Sequence, residues 1–174
     1  MSASDRFNNA LRYRDEADPR QVALTPDYLL NLVRQALGGI DLDPCTESDN
    51  PVGAARFYAL PQDGGALPWD AERIFVNPPY GKARERFVDR CIEAADAGSR
   101  VVLLMPAATD TRCVQKAAST ADELLLVRGR LKFGVLRPNR RQVAASHPSM
   151  LFAWNLDLDA CDGLGLRVRK VAAL

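Results

Sequence analysis

The segment Ile74-Phe75-Val76-Asn77-Pro78-Pro79-Tyr80-Gly81 carries the densest chemistry in the chain. Three apolar residues make a short buried strand, and two prolines forbid its continuation. Each proline fixes one φ angle and removes one N–H donor. The backbone carbonyls nearby are then left to accept from a ligand. Asn77 adds a side-chain carbonyl, and Tyr80 adds a flat aromatic face. Carbonyl acceptors beside an aromatic platform suit a planar group that carries an NH₂, such as a base edge. For Pro-Pro alone, a strand end closed by a turn is the plainer reading. The full Asn-Pro-Pro-Tyr after an apolar strand favours a functional one.

Two further clusters bear charge. Ile40-Asp41-Leu42-Asp43-Pro44-Cys45 sets two carboxylates on one face of a regular strand, and Glu47 and Asp49 continue the acid. A solvated acidic turn is the structural alternative. From Leu124 to Asn155 there is no Asp or Glu, while Arg128, Arg130, Lys132, Arg137, Arg140, Arg141 and His147 all fall there. Such a one-signed stretch is the expected footprint of phosphate contacts, although a solvated surface is the commoner fate of a charge cluster. Lys82, Arg84 and Arg86 directly follow the Asn-Pro-Pro-Tyr loop and could add phosphate contacts.

The elements that must position these residues read as follows. Thr25 suits a helix N-cap and Pro26 the first helical position. Tyr28, Leu29, Leu32, Val33, Ala36 and Leu37 follow at helical spacing until Gly38-Gly39. Residues 40–43 make a short strand, 56–60 a second, 74–76 a third. Residues 82–97 form an amphipathic helix. Strands follow at 101–105, 124–128, 150–154 and 166–168, with a helix over 110–119. Alternating strands and helices predict an open α/β sheet with helices on its faces. In such sheets ligands bind beyond the carboxyl ends of the strands.

Composition bounds the class. The chain has 174 residues, with 23 basic and 22 acidic side chains, which fits one domain. Residues 1–24 are polar and aperiodic and read as a loose arm. No apolar run reaches membrane-span length, and the first 20 residues hold no signal-type apolar stretch, so the expected location is the cytoplasm. Four cysteines stand without a C-x-x-C pair, which suggests neither zinc nor a disulfide framework. A single histidine, His147, excludes a multi-histidine metal site. Its neighbour is Pro148, and a loop hydrogen bond is its expected role.

Several of these pieces stand in one order. They are Thr25-Pro26, Asp41-Leu42-Asp43-Pro44-Cys45, Trp69, Asn77-Pro78-Pro79-Tyr80-Gly81, Leu104-Met105-Pro106-Ala107 with Thr109-Asp110-Thr111, and Gly129-Arg130-Leu131-Lys132-Phe133. This series resembles the phage and prophage DNA N6-adenine methyltransferases of the small Dam-like type. The resemblance implies a Rossmann-like α/β fold, mostly parallel and shortened between its first and catalytic strands. It implies methyl transfer from S-adenosylmethionine to adenine N6 in DNA, in a bacterial host cytoplasm if the chain is phage-encoded.

The resemblance also implies roles. Asn77, Pro78, Pro79 and Tyr80 would be catalytic: the Asn77 side-chain oxygen and the Pro78 carbonyl accept the N6 hydrogens, and Tyr80 stacks on the flipped base. Thr25, Pro26, Asp41, Asp43, Pro44, Cys45, Trp69 and Asn77 would bind the cofactor, Trp69 by stacking unless it is core. Lys82, Arg84, Arg130, Lys132, Arg137, Arg140 and Arg141 would meet DNA, with Phe133 helping to hold the target base. No metal is implied. The rivals are methylation of cytosine N4, of an RNA base or of a protein glutamine, and a DNA-binding module with a degenerate cofactor site.

Overall fold

The computed structural model describes residues 24–79, 81, 83–134 and 142–170. Helix α1 spans Asp27–Leu37, followed by strands β1 (Leu42–Asp43), β2 (Arg56–Phe57) and β3 (Arg73–Val76). Then come helix α2 (Ala83–Asp96), strand β4 (Arg100–Pro106), helix α3 (Arg112–Thr120) and strand β5 (Glu123–Val127). A small hairpin of β6 (Lys132–Gly134) and β7 (Gln142–Ala144) precedes β8 (Ser149–Trp154). A 3₁₀ turn, Asp159–Leu164, leads into β9 (Gly165–Arg169).

Seven strands form one sheet in the order β2-β1-β3-β4-β8-β5-β9. The pairs β1–β2, β1–β3 and β3–β4 are parallel; β8 is antiparallel to both β4 and β5, and β9 is antiparallel to β5. Strand β5 therefore runs with the parallel set, and only β8 and β9 oppose it. This is the Rossmann-like α/β class. The shortening expected between the first and catalytic strands is present: no helix intervenes between β1 and β3.

Apolar alternation explains the layers. Strand β4 sends Val102 and Leu104 to one core, shared with α1 and the 3₁₀ turn, and Val101, Leu103 and Met105 to the other. Strand β8 divides likewise: Leu151 and Ala153 face the first core, Met150, Phe152 and Trp154 the second. A period of two with both faces apolar is what a doubly covered strand requires. Helix α1 buries Leu29, Leu30, Val33 and Leu37 on the first face. Helix α2 buries Phe87, Val88, Cys91 and Ala94 on the second. Each such side chain contributes about 1.5–3 kcal/mol of transfer free energy, so the two cores fix where the strand ends lie.

One helix boundary differs from expectation. Pro26, extended at φ −61° and ψ 139°, occupies the cap position of α1, with no side-chain cap hydrogen bond. Thr25 lies one residue earlier and is buried. Its hydroxyl is engaged elsewhere, as described below. At the other end Gly38 adopts φ +77°, and its N–H bonds the Arg34 carbonyl at 2.8 Å. A residue with a Cβ is strained in that left-handed conformation, so Gly38 is a true stop.

Candidate active site

A cavity of about 310 Å³ opens at the carboxyl ends of β1, β2 and β3. Its wall includes Thr25 ahead of α1, Asp43, Pro44 and Cys45 from the end of β1, and Tyr58 from the end of β2. Asn77 and Pro79 enter from the end of β3, and Ala83, Arg86 and Phe87 from α2. The sheet brings together residues far apart in the chain, as the topology rule anticipates.

Asn77 is held at both its side chain and its backbone. Its Nδ2 donates to Thr25 Oγ1 at 3.1 Å. Its backbone hydrogen-bonds the Cys45 thiol. Pro78 is buried behind it, while Pro79 reaches the cavity. Tyr80 and Lys82 lie outside the described residues.

The end of β1 is a compact polar knot. Asp43 is only 2% exposed, and the Cys45 N–H donates to its Oδ1 at 3.0 Å. Burial raises the Asp43 carboxyl from 3.8 to about 7, against the opposing hydrogen bonds from Cys45 and Thr46. Burial also pushes the Cys45 thiol well up, and the neighbouring Asp43 charge adds to it. Glu47, in the same wall, is raised by burial and then by the Asp49 charge. Among the described residues of the wall, Asp43, Glu47 and Asp63 stand with one cation, Arg86, which pairs with Asp63 at 2.7 Å. The cavity lining is therefore net acidic, and an acidic lining favours a cationic ligand.

Gly64 closes this wall. A Cβ built on it would lie 1.7 Å from the Pro44 carbonyl oxygen. Backbone meets backbone there, so only glycine fits. The Gly64 carbonyl accepts the Trp69 indole N–H at 2.8 Å. Tyr58, Asp63 and Gly64 are wall residues that the sequence motifs do not single out. Their only sequence signal was the Asp-Gly-Gly turn itself.

Three residues expected at the site stand outside this cavity wall. Asp41 does not line the cavity. Its carboxylate takes the Arg73 backbone N–H at 3.1 Å and the Arg73 guanidinium Nε at 2.9 Å, at the start of β3. The Arg73 hydrogen bond holds its carboxyl below the ordinary range. The two-residue strand β1 ends the regular alternation that would have put Asp41 beside Asp43. Trp69 is core: it is 5% exposed, packs on Phe87 at 6.1 Å between ring centroids, and carries Arg90 over its ring at 5.4 Å. Phe133 is also core, packed into the α1-side cluster. Trp69 thus packs against Phe87 and Arg90, and Phe133 against the apolar side chains of its cluster.

The basic stretch divides. Arg128, Arg130 and Lys132 are exposed on the connection from β5 into β6. Arg137, Arg140 and Arg141 lie outside the described residues. The β6 strand reaches the cavity wall through Leu24: the Leu24 N–H bonds the Gly134 carbonyl at 2.9 Å, and the reverse bond is 3.0 Å. Arg84 is half-buried on α2. His147 is exposed, with Nδ1 and Ser146 Oγ 2.9 Å apart, the local loop bond its sequence context suggests.

The family profile described as DNA N-6-adenine-methyltransferase (Dam) matches residues 15–159. The chain belongs to that family. Within the Dam family, it is similar to the "DNA N-6-adenine-methyltransferase" of Escherichia phage T1, at 25% identity over 120 residues. That stretch is 67% of this chain and 50% of the phage protein. The Dam-family chain thus spans about half the length of the curated relative it matches. Among solved structures it is similar to a SAM-dependent O-methyltransferase from Thermotoga maritima, with TM-score 0.46 and 13% identity over 90% of this chain and 72% of that one. Among the described residues no helix of this Dam-family chain is long and apolar enough to cross a membrane, and no cluster of His, Cys, Asp and Glu could hold a metal.

Proposed function

We propose that this chain transfers a methyl group from S-adenosylmethionine to N6 of adenine in DNA. The observation that carries the reading is the position of Asn77, on the wall of an acid-lined cavity that Asp43 and Cys45 also line. When bound, S-adenosylmethionine supplies an electrophilic methyl group on a sulfonium that leaves as a neutral thioether. The carboxylates of Asp43, Glu47 and Asp63 suit its positive charges.

The chain's own work is positioning. Asn77 Oδ1 and the Pro78 carbonyl accept the two N6 hydrogens. The amine lone pair is thereby turned out of ring conjugation and toward the methyl carbon. Held this way, the amine would take the methyl group in exchange for one of its protons, which would pass to solvent. Tyr80 stacks on the adenine, which must leave the helix because N6 is unreachable inside the stack. Arg128, Arg130 and Lys132 meet phosphates, together with Lys82, Arg84, Arg137, Arg140 and Arg141.

The test is tritiated methyl transfer into DNA of varied sequence, followed by nucleoside analysis. Label in N6-methyladenine supports the proposal. Label in cytosine only, in protein only, or nowhere overturns it. Asn77→Ala should abolish transfer while leaving cofactor binding within about threefold, since the loss is of positioning in the transition state.

A further inference from the structure

Thr25 lies on the cavity wall, and its side chain does not cap α1. It is 8% exposed. Its Oγ1 receives the Asn77 Nδ2–H at 3.1 Å, across 52 residues of sequence. Both neighbours of Thr25 are themselves anchored. Leu24 exchanges two backbone hydrogen bonds with Gly134, and the Pro26 carbonyl accepts from Leu29 and Leu30 at 3.0 Å each. The hydroxyl is therefore a fixed point on the cavity wall.

We infer that Thr25 is the positioning residue for Asn77, holding its carboxamide in place for the reacting amine. The inference rests on the methyl-transfer reading. A carboxamide has one acceptor end and one donor end. With Nδ2 committed to Thr25, Oδ1 is the end turned away from it. Without this hydrogen bond the carboxamide is released to swing about its own side-chain torsions, and Oδ1 leaves the place from which it would accept from the amine. Thr25 thus acts on the rate of methyl transfer through Asn77, without touching the substrate.

This role predicts a split between kinetic constants. Thr25→Val keeps the side-chain shape and removes the hydroxyl. It should lower kcat for adenine methylation by about 10²-fold, the scale of a misplaced reacting group, with KM for S-adenosylmethionine within about twofold of wild type. Thr25→Ser restores the hydroxyl and should return kcat to within about threefold. Far-ultraviolet circular dichroism and melting of both variants establish that the fold is retained. If Thr25→Val turns over at the wild-type rate, the inference falls and methyl transfer stands. If Thr25→Val raises KM for the cofactor at unchanged kcat, Thr25 is a cofactor contact and the inference falls. If Thr25→Ser is as slow as Thr25→Val, the hydroxyl is not the operative group and the inference falls. If the wild-type chain methylates no adenine, the methyl-transfer reading falls and takes this one with it.

Discussion

The Cys45 backbone N–H donates to Asp43 Oδ1 at 3.0 Å, while the Cys45 thiol meets the backbone of Asn77. One short motif therefore joins the acidic part of the cavity wall to Asn77. Asp43 titrates near 7 in the fold, against 3.8 ordinarily, because burial disfavours its charge. Between those values the folded state holds a proton that the unfolded chain has released. The stabilising contribution is complete below 3.8 and is lost as pH rises to about 7. A cationic ligand reverses the balance by favouring the carboxylate. Affinity for S-adenosylmethionine should therefore rise between pH 6 and pH 8, by up to about tenfold per unit below the folded pKa. Isothermal titration across that range checks it. Asp43→Asn should flatten the profile and raise the melting temperature above pH 7; a profile that stays steep in the variant assigns the titration elsewhere.

Asp41 and Arg73 make a separate device. Their carboxylate–guanidinium pair is partly exposed, at 26% and 32%. An exposed pair of good geometry contributes on the order of 1 kcal/mol. Asp41→Asn should lower stability by about that amount and leave cofactor affinity unchanged, because Asp41 is absent from the cavity wall. The lowered Asp41 carboxyl makes its contribution present above 3.8 and lost as pH falls below it. Urea melts at pH 7 and pH 3 measure this. A weakened cofactor at unchanged stability would return Asp41 to the site.

The Asp41 outcome shows where sequence reading runs out. Strands β4 and β8 were legible because their apolar runs serve two cores at once, and that need is written locally. The place of Asn77 just past a strand end was legible because the two prolines that follow forbid the strand to continue beyond Val76. Asp41 was not, since its partner Arg73 lies 32 residues on and nothing near Asp41 announces it. For Trp69 the sequence leaves stacking and core packing open, because Phe87 and Arg90, which pack on its ring, come from α2. The β6–β7 hairpin was missed because strands of three residues are too short to show a period.

Gly64 should tolerate no side chain. Its Cβ position lies 1.7 Å from the Pro44 oxygen, 2.8 Å from the Pro44 carbonyl carbon and 3.2 Å from Tyr58 Cβ. Gly64→Ala should cost about 1–3 kcal/mol, the usual range for overpacking, and weaken cofactor binding by displacing the loop against Pro44. Gly163→Ala is the control, since nothing lies within 4 Å of its Cβ position. Thermal melts with and without S-adenosylmethionine report both effects. Equal melting temperatures for the two variants would mean that the Pro44 contact relaxes freely.

Arg130 and Lys132 test the polyanion side. Both are exposed on the way into β6, whose far end at Gly134 is bonded to Leu24 on the cavity wall. A phosphate contact here would lie within one short strand of the candidate active site. Exposed charges of this kind change stability by less than about 0.5 kcal/mol when removed, so folding should not confound the measurement. Each phosphate contact contributes about 0.9 to the slope of log affinity against log salt. Arg130→Ala and Lys132→Ala should each weaken binding to any DNA sequence and reduce that slope by about 1, and the double variant by about 2. Fluorescence anisotropy over a salt series gives the slope directly. An unchanged slope would leave both side chains as solvated surface and move the phosphate track to another face of the cavity.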